Sequence, residues 1–192
     1  IWSFGYLPGS GKLVLYRLDP RGAMKQVNVI DAPNADMVHD FAITDRWLVF
    51  FLIPLVVDRE ARAQGTFLDA LAWRPERGST VLLVDKATLQ VAHRVDTEAT
   101  AFFHTGNAWE DGDSVRLQVM RVDDFEALMD DIYAALAGEP MRSPTRTAPV
   151  ELTVTPGSGW SGLAPMSDWS GEFPRIDPRH IGQPTRSLFL AS

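Results

Sequence analysis

The chain has 192 residues, 45% of them hydrophobic and 22% charged, with a net charge of −7. That is enough sequence for a sizeable globular core, and the acidic balance, without any run of basic residues, argues against nucleic acid as a partner. Zero cysteines exclude disulfides, thiolate metal sites and a cysteine nucleophile, so a metal here must take N and O ligands; the same absence fits a cytoplasmic chain.

Short runs rich in Val, Leu, Phe and Ile recur with turn residues between them, which is the pattern of an antiparallel β protein. In chain order the expected strands are Lys12 to Asp19, Lys25 to Ile30, Met37 to Thr44, Trp47 to Leu55, Thr80 to Asp85, Ala92 to Asp96, Ala101 to Trp109, Ser114 to Arg121, Val150 to Thr155 and Ser187 to Leu190. The turn between Thr44 and Trp47 and the Glu110-Asp111-Gly112-Asp113 turn make hairpins, because Asp-Gly tolerates the positive φ such turns need. The longest apolar run, Trp47 to Val57, is broken by Pro54 and falls short of the roughly 20 residues that span a bilayer. Strands at this spacing predict a propeller, barrel or sandwich.

One segment departs from the pattern. Phe125, Leu128, Met129, Ile132, Tyr133 and Leu136 fall at helical spacing, with Asp123 or Asp124 to cap the start and Gly138 and Pro140 to end it. An amphipathic helix over 123–138 is expected, packed on the sheet edge with its acidic face in solvent. Val57 to Gly78, Gly138 to Pro149 (with Arg142 and Pro144) and Pro156 to Gly171 read as long connections. The chain opens at Ile1 without methionine and stops at Ser187-Leu188-Phe189-Leu190-Ala191-Ser192, a strand just starting; it reads as an internal piece of a longer protein.

The residues able to carry chemistry are few. On a strand, His39 would share its face with Met37, Phe41 and Ile43 and be buried and neutral, a state in which imidazole binds metal, while Asp40 would point the other way. A core histidine bonded to a carbonyl is the plainer reading of that segment. His104 is followed by Gly106, which admits close approach of another group, and by Asn107, which can bond a neighbouring turn. His93 and His180 lie in polar stretches and are expected to be exposed. Glu172, between Gly171 and Phe173-Pro174, would be held by a stiff turn that suits an orienting carboxylate. Gly9-Ser10-Gly11-Lys12 only superficially looks like a phosphate loop, since Leu13 stands where Ser or Thr is needed; it reads as a hairpin turn. Gly157-Ser158-Gly159 lacks the strand-to-helix context of a nucleophile.

Taken together, Met37-Val38-His39-Asp40-Phe41-Ala42-Ile43-Thr44, Phe103-His104 through Asn107-Ala108-Trp109-Glu110, and Glu172-Phe173-Pro174-Arg175-Ile176-Asp177 resemble the carotenoid cleavage oxygenase family, which includes stilbene-cleaving enzymes. The resemblance implies an all-β fold, part of a seven-bladed β-propeller with the helix inserted, and a non-haem Fe(2+) on its axis held by four histidines. By position His39 resembles the second ligand and His104 the third, and Glu172 the glutamate that orients the third. The first would precede Ile1 and the fourth follow Ser192, so the segment of about three blades would be inactive alone, with open edges.

The implied reaction is cleavage of a conjugated carbon–carbon double bond of a carotenoid, apocarotenoid or stilbene, both atoms of O₂ ending in two carbonyl products. Its partners would be O₂ and a lipophilic polyene or stilbenoid. Phe41, Phe102 and Phe103 could line a tunnel for it or simply form core. In the family, apolar loops can dip into a membrane, and Phe67, Leu68, Leu71 and Trp73 are the residues here that would give such peripheral contact. The competing expectation is a non-catalytic propeller segment that binds a ligand or protein and keeps the histidines as structure.

Overall fold

The computed structural model describes residues 1–140 and 145–191; Arg142 and Pro144 lie outside them. The chain is mostly antiparallel β and forms two compact units.

The first unit comprises Ile1–His39 and Arg46–Ala99. Strands β1 (Trp2–Tyr6), β2 (Lys12–Leu18) and β3 (Met24–Asp31) form a meander. Gly9, Ser10 and Gly11 lie in the turn between β1 and β2 and Lys12 opens β2; the two strands pair from Tyr6 with Leu13 outward. After β3 the expected strand from Met37 to Thr44 fails to form. Turns at Pro33–Asn34 and Asp36–Met37 divert the chain, and the buried Asp36 carboxylate pins the diversion by accepting from the Gly9 and Val57 N–H groups. Of the expected run only β4 (Ala42–Ile43) is strand, and it belongs to the second unit.

Strands β5 (Trp47–Leu52), β6 (Leu55–Val57) and helix α1 (Arg59–Gln64) follow. Pro54 lacks the N–H a continuous ladder needs, which splits the expected Trp47–Leu55 strand in two. The Val57–Gly78 stretch is no bare loop: Asp58 caps α1 by accepting from the Glu60 and Ala61 N–H groups, and β7 (Leu71–Trp73) pairs with β6. Phe67, Leu68, Leu71 and Trp73 are all half-buried. No helix among the described residues is long and apolar enough to cross a membrane. Strands β8 (Ser79–Asp85) and β9 (Val91–Thr97) extend the β5 sheet. β5 and β8 are buried on both faces, and Phe50, Leu48, Leu82 and Leu83 form the heart of this unit's core.

The second unit joins Asp40–Asp45 to the chain from Thr100 onward. β10 (Ala101–Asp111) and β11 (Ser114–Val122) meet through the expected Asp-Gly turn, where Gly112 takes φ 60°. Helix α2 (Phe125–Leu136) starts at Asp124, which accepts from the Ala127 N–H. It ends on Gly138 at φ 74°, with the Glu139 N–H closing back on the Ala134 carbonyl. Its docked face differs from the expected one: Phe125, Asp131 and Ala134 are buried, whereas Tyr133 and Leu136 are 37% and 67% exposed. The first turn anchors the helix, through the Phe125 ring 5.7 Å from Phe103, and this rotates Asp131 inward and the end of the apolar stripe outward.

β12 (Thr147–Thr155) and β13 (Gly159–Pro165) complete the sheet in the order β10-β11-β12-β13. Phe102, expected as tunnel or core, is buried with its ring 6.4 Å from Trp160; it is core. β14 (Glu172–Arg175) pairs with β15 (Phe189–Ala191).

Candidate metal centre

β10 is the edge strand of its sheet, and its register against β11 shifts between Phe102 and Thr105 and again between Thr105 and Ala108. His104 therefore sits on irregular backbone. Such bulges re-aim a side chain out of the strict alternation of a strand.

His104 is 24% exposed at its side chain, and its Nδ1–H donates to Glu172 Oε2 at 2.8 Å. Glu172 is fixed at its base. The preceding Gly171 is buried, its N–H donates to the Thr147 carbonyl, and the Thr147 hydroxyl donates back to the Gly171 carbonyl at 2.6 Å. The same Oε2 accepts from the Phe173 N–H at 3.0 Å. Phe173 has φ 55°, a conformation strained for an aromatic residue, and its ring lies 5.0 Å from the imidazole. The hydrogen bond that His104 donates to Glu172 raises the His104 pKa above its ordinary 6.5; burial and Arg175 oppose the shift, and the charges of Glu172 and Asp40 add to it. In the metal-free protein the imidazole is expected to titrate above 6.5, and Glu172→Gln to bring that midpoint down, as read from histidine-labelled NMR spectra. An unchanged midpoint would show that the carboxylate does not govern the ring.

His39 lies in the first unit, and the structure corrects its expected setting: it is on no strand and is exposed. Its Nδ1–H donates to the Met37 carbonyl at 3.0 Å. In each imidazole an oxygen acceptor takes the Nδ1–H, so in the neutral ring the lone pair is on Nε2. A histidine held in this way can ligate a divalent transition metal through Nε2, and each ring taken by itself fits that role. Among the described residues no three His, Asp or Glu side chains gather into a potential cation site.

The other two histidines have structural surroundings. His93, expected to be exposed, is half-buried with its ring edge-on to Trp47 at 5.6 Å. His180 is exposed, and its carbonyl accepts from the Asn107 side chain. Buried Asn107 also donates to the Gln183 carbonyl and accepts from the Gly182 N–H, so it ties down the neighbouring turn. Gly106 admits a close neighbour as expected: a Cβ there would lie 2.8 Å from Leu188 Cδ1.

Sequence reasoning missed Asp40. Its carboxylate accepts from the Phe41 N–H and from both the N–H and the hydroxyl of Thr105. The only prior signal was its place beside His39. Asp40, Phe41, Thr105, Pro174, Arg175 and Ile181 contribute to the wall of a cavity of about 300 Å³.

These features define a class: a predominantly β protein whose polar site hangs on a bulged edge strand. The chain belongs to the RPE65/carotenoid cleavage oxygenase family, since all residues 1–192 match the family model described as retinal pigment epithelial membrane protein. It is 36% identical over 116 residues to resveratrol cleavage oxygenase 1 of Aspergillus fumigatus, covering 56% of this chain and 22% of that protein. It is 23% identical over 181 residues to isoeugenol monooxygenase of Pseudomonas putida, covering 93% and 37%. Among solved structures, the lignostilbene dioxygenase of Pseudomonas brassicacearum superposes with a TM-score of 0.77 at 26% identity, covering 98% of this chain and 40% of that one. The chain thus spans well under half the length of these relatives.

Proposed function

We propose that the protein to which this chain belongs is a non-haem Fe(II) dioxygenase that cleaves a conjugated carbon–carbon double bond with O₂, within a seven-bladed propeller. His39 and His104 would be two of four imidazole ligands, each through Nε2. The observation that carries this reading is the His104 Nδ1–Glu172 hydrogen bond at the β10 bulge, in a chain of an oxygenase family.

Iron, when bound, would supply the centre at which O₂ is activated beside the alkene. The chain's own residues do the positioning. Glu172 keeps the Nδ1 proton in place, fixes the ring's tautomer and raises its basicity as a ligand. With Nδ1–H committed to a carboxylate, His104 holds its proton throughout and serves as ligand rather than proton carrier. The buried Thr147–Gly171 pairing keeps Glu172 from following the ring if it moves, which makes the arrangement preorganised.

The relatives' names supply the candidate substrates. Resveratrol, isoeugenol and lignostilbene, with a carotenoid and an apocarotenoid, form the panel to test. The full-length protein with iron and ¹⁸O₂ is expected to convert one of these into two carbonyl products, each carrying one label. Label in only one product would redirect the reading to a monooxygenase, and absence of both iron and turnover would favour a non-catalytic binding module.

A further inference from the structure

Asp40 has no part in the ligand set proposed above, yet its carboxylate is committed on both oxygens. Oδ1 accepts from the Phe41 N–H at 2.8 Å, while Oδ2 accepts from the Thr105 N–H at 2.8 Å and the Thr105 hydroxyl at 2.9 Å. Thr105 directly follows His104 and lies between the two register shifts of β10. A bulged edge strand is the softest backbone in a sheet, because its ladder is interrupted on one side and lacks a neighbouring strand on the other. A small rotation of the peptide after His104 would swing the imidazole by a larger distance at Nε2.

A carboxylate that takes both donors of one residue fixes that residue's backbone and its χ1 together. We infer that Asp40 is a positioning residue for the metal centre, clamping the bulged peptide behind His104 so that the imidazole is aimed before a metal arrives. Glu172 and Asp40 then do different work. Glu172 sets the ring's rotation and tautomer through Nδ1, whereas Asp40 sets the backbone from which the ring hangs, and the two share no atom. Asp40 itself is the residue that follows His39 in the chain. This inference rests on the iron reading above.

The test compares Asp40→Ala, Asp40→Asn and Thr105→Val in the full-length protein. Three quantities are measured: Fe(II) affinity by chelator competition, imidazole scattering at the iron by X-ray absorption, and the melting midpoint. Asp40→Ala is expected to weaken iron binding about 10-fold, the lower end of what loss of an outer partner costs a metal site, with reduced imidazole scattering. Asp40→Asn keeps an acceptor for the Thr105 N–H and should recover most of the affinity. Thr105→Val, which keeps the N–H bond and loses the hydroxyl, should fall between, and it decides the matter if Asp40→Ala fails to fold. Parent-like affinity and scattering in the folded variants, even with a lowered melting midpoint, would overturn the inference and leave the iron reading standing. A parent protein that binds no iron would overturn both, and is told apart because the defect is then in the parent.

Discussion

Glu172→Ala in the full-length protein is expected to weaken iron binding toward 100-fold, within the roughly 10–100-fold range for loss of a ligand's carboxylate partner. Glu172→Gln should cost about 10-fold, at the mild end of the same range. The difference between them follows from the hydrogen bond. A glutamine oxygen can still accept from Nδ1–H and keep the tautomer, but it carries no charge to raise the ring's basicity. Alanine removes the acceptor that Nδ1–H and the Phe173 N–H share. The ring is then free to adopt the other tautomer, and the strained φ of Phe173 loses its restraint. Equilibration of each variant with a graded chelator series, followed by metal analysis, gives the affinities. If alanine bound iron as tightly as the parent, the carboxylate would be an ornament of the loop and the oxygenase reading would lose its geometric support.

The same pair shows how far pattern reading goes on this chain. His104 and Glu172 are 68 residues apart, and Asp40 and Thr105 are 65 apart, so no local spacing joins either pair. Only the family resemblance brought His104 and Glu172 together, and nothing in the sequence paired Asp40 with Thr105. Alternation and turn chemistry performed well where strands are held by their own hairpins. The β10–β11 hairpin closes on Asp111 and Ser114 around Gly112, and β2, β3, β8 and β9 each lie within a residue or two of their expected bounds.

The misses have local causes. β1 and β13 carry Gly5, or Gly159 and Gly162, inside the strand, and glycine lowers any strand expectation because it packs nothing; pairing with β2 and β12 holds them nonetheless. The Met37–Thr44 run alternates like a strand, but the Asp36 carboxylate reaches Gly9 and Val57 and bends the chain before the alternation can be used. On α2 the spacing found the helix but not its rotation, since the first-turn contact of Phe125 with Phe103 is tertiary.

Phe50→Ala is expected to be the most costly single change in the first unit, at about 3–5 kcal/mol for a buried phenylalanine cut to alanine. Phe50 is fully buried on β5, pairs with Leu82 on β8, and meets the Phe4 ring edge-on at 5.3 Å. Its ring therefore joins β1 to the β5–β8 pair, and truncation leaves a cavity where two sheets of this unit meet. Buried neighbours on both strands are close-packed and can collapse only partly into that space. Phe50→Leu, which fills much of the volume, should cost a fraction of this. Val29→Ala removes methyls from a side chain already 53% exposed and should stay within about 0.5 kcal/mol, as surface changes do. Urea denaturation of the full-length protein, monitored through the transition that includes this unit, ranks the three. A midpoint for Phe50→Ala no lower than that for Val29→Ala would mean that the core of the first unit lies elsewhere, and that β1 is held by its hairpin with β2 alone.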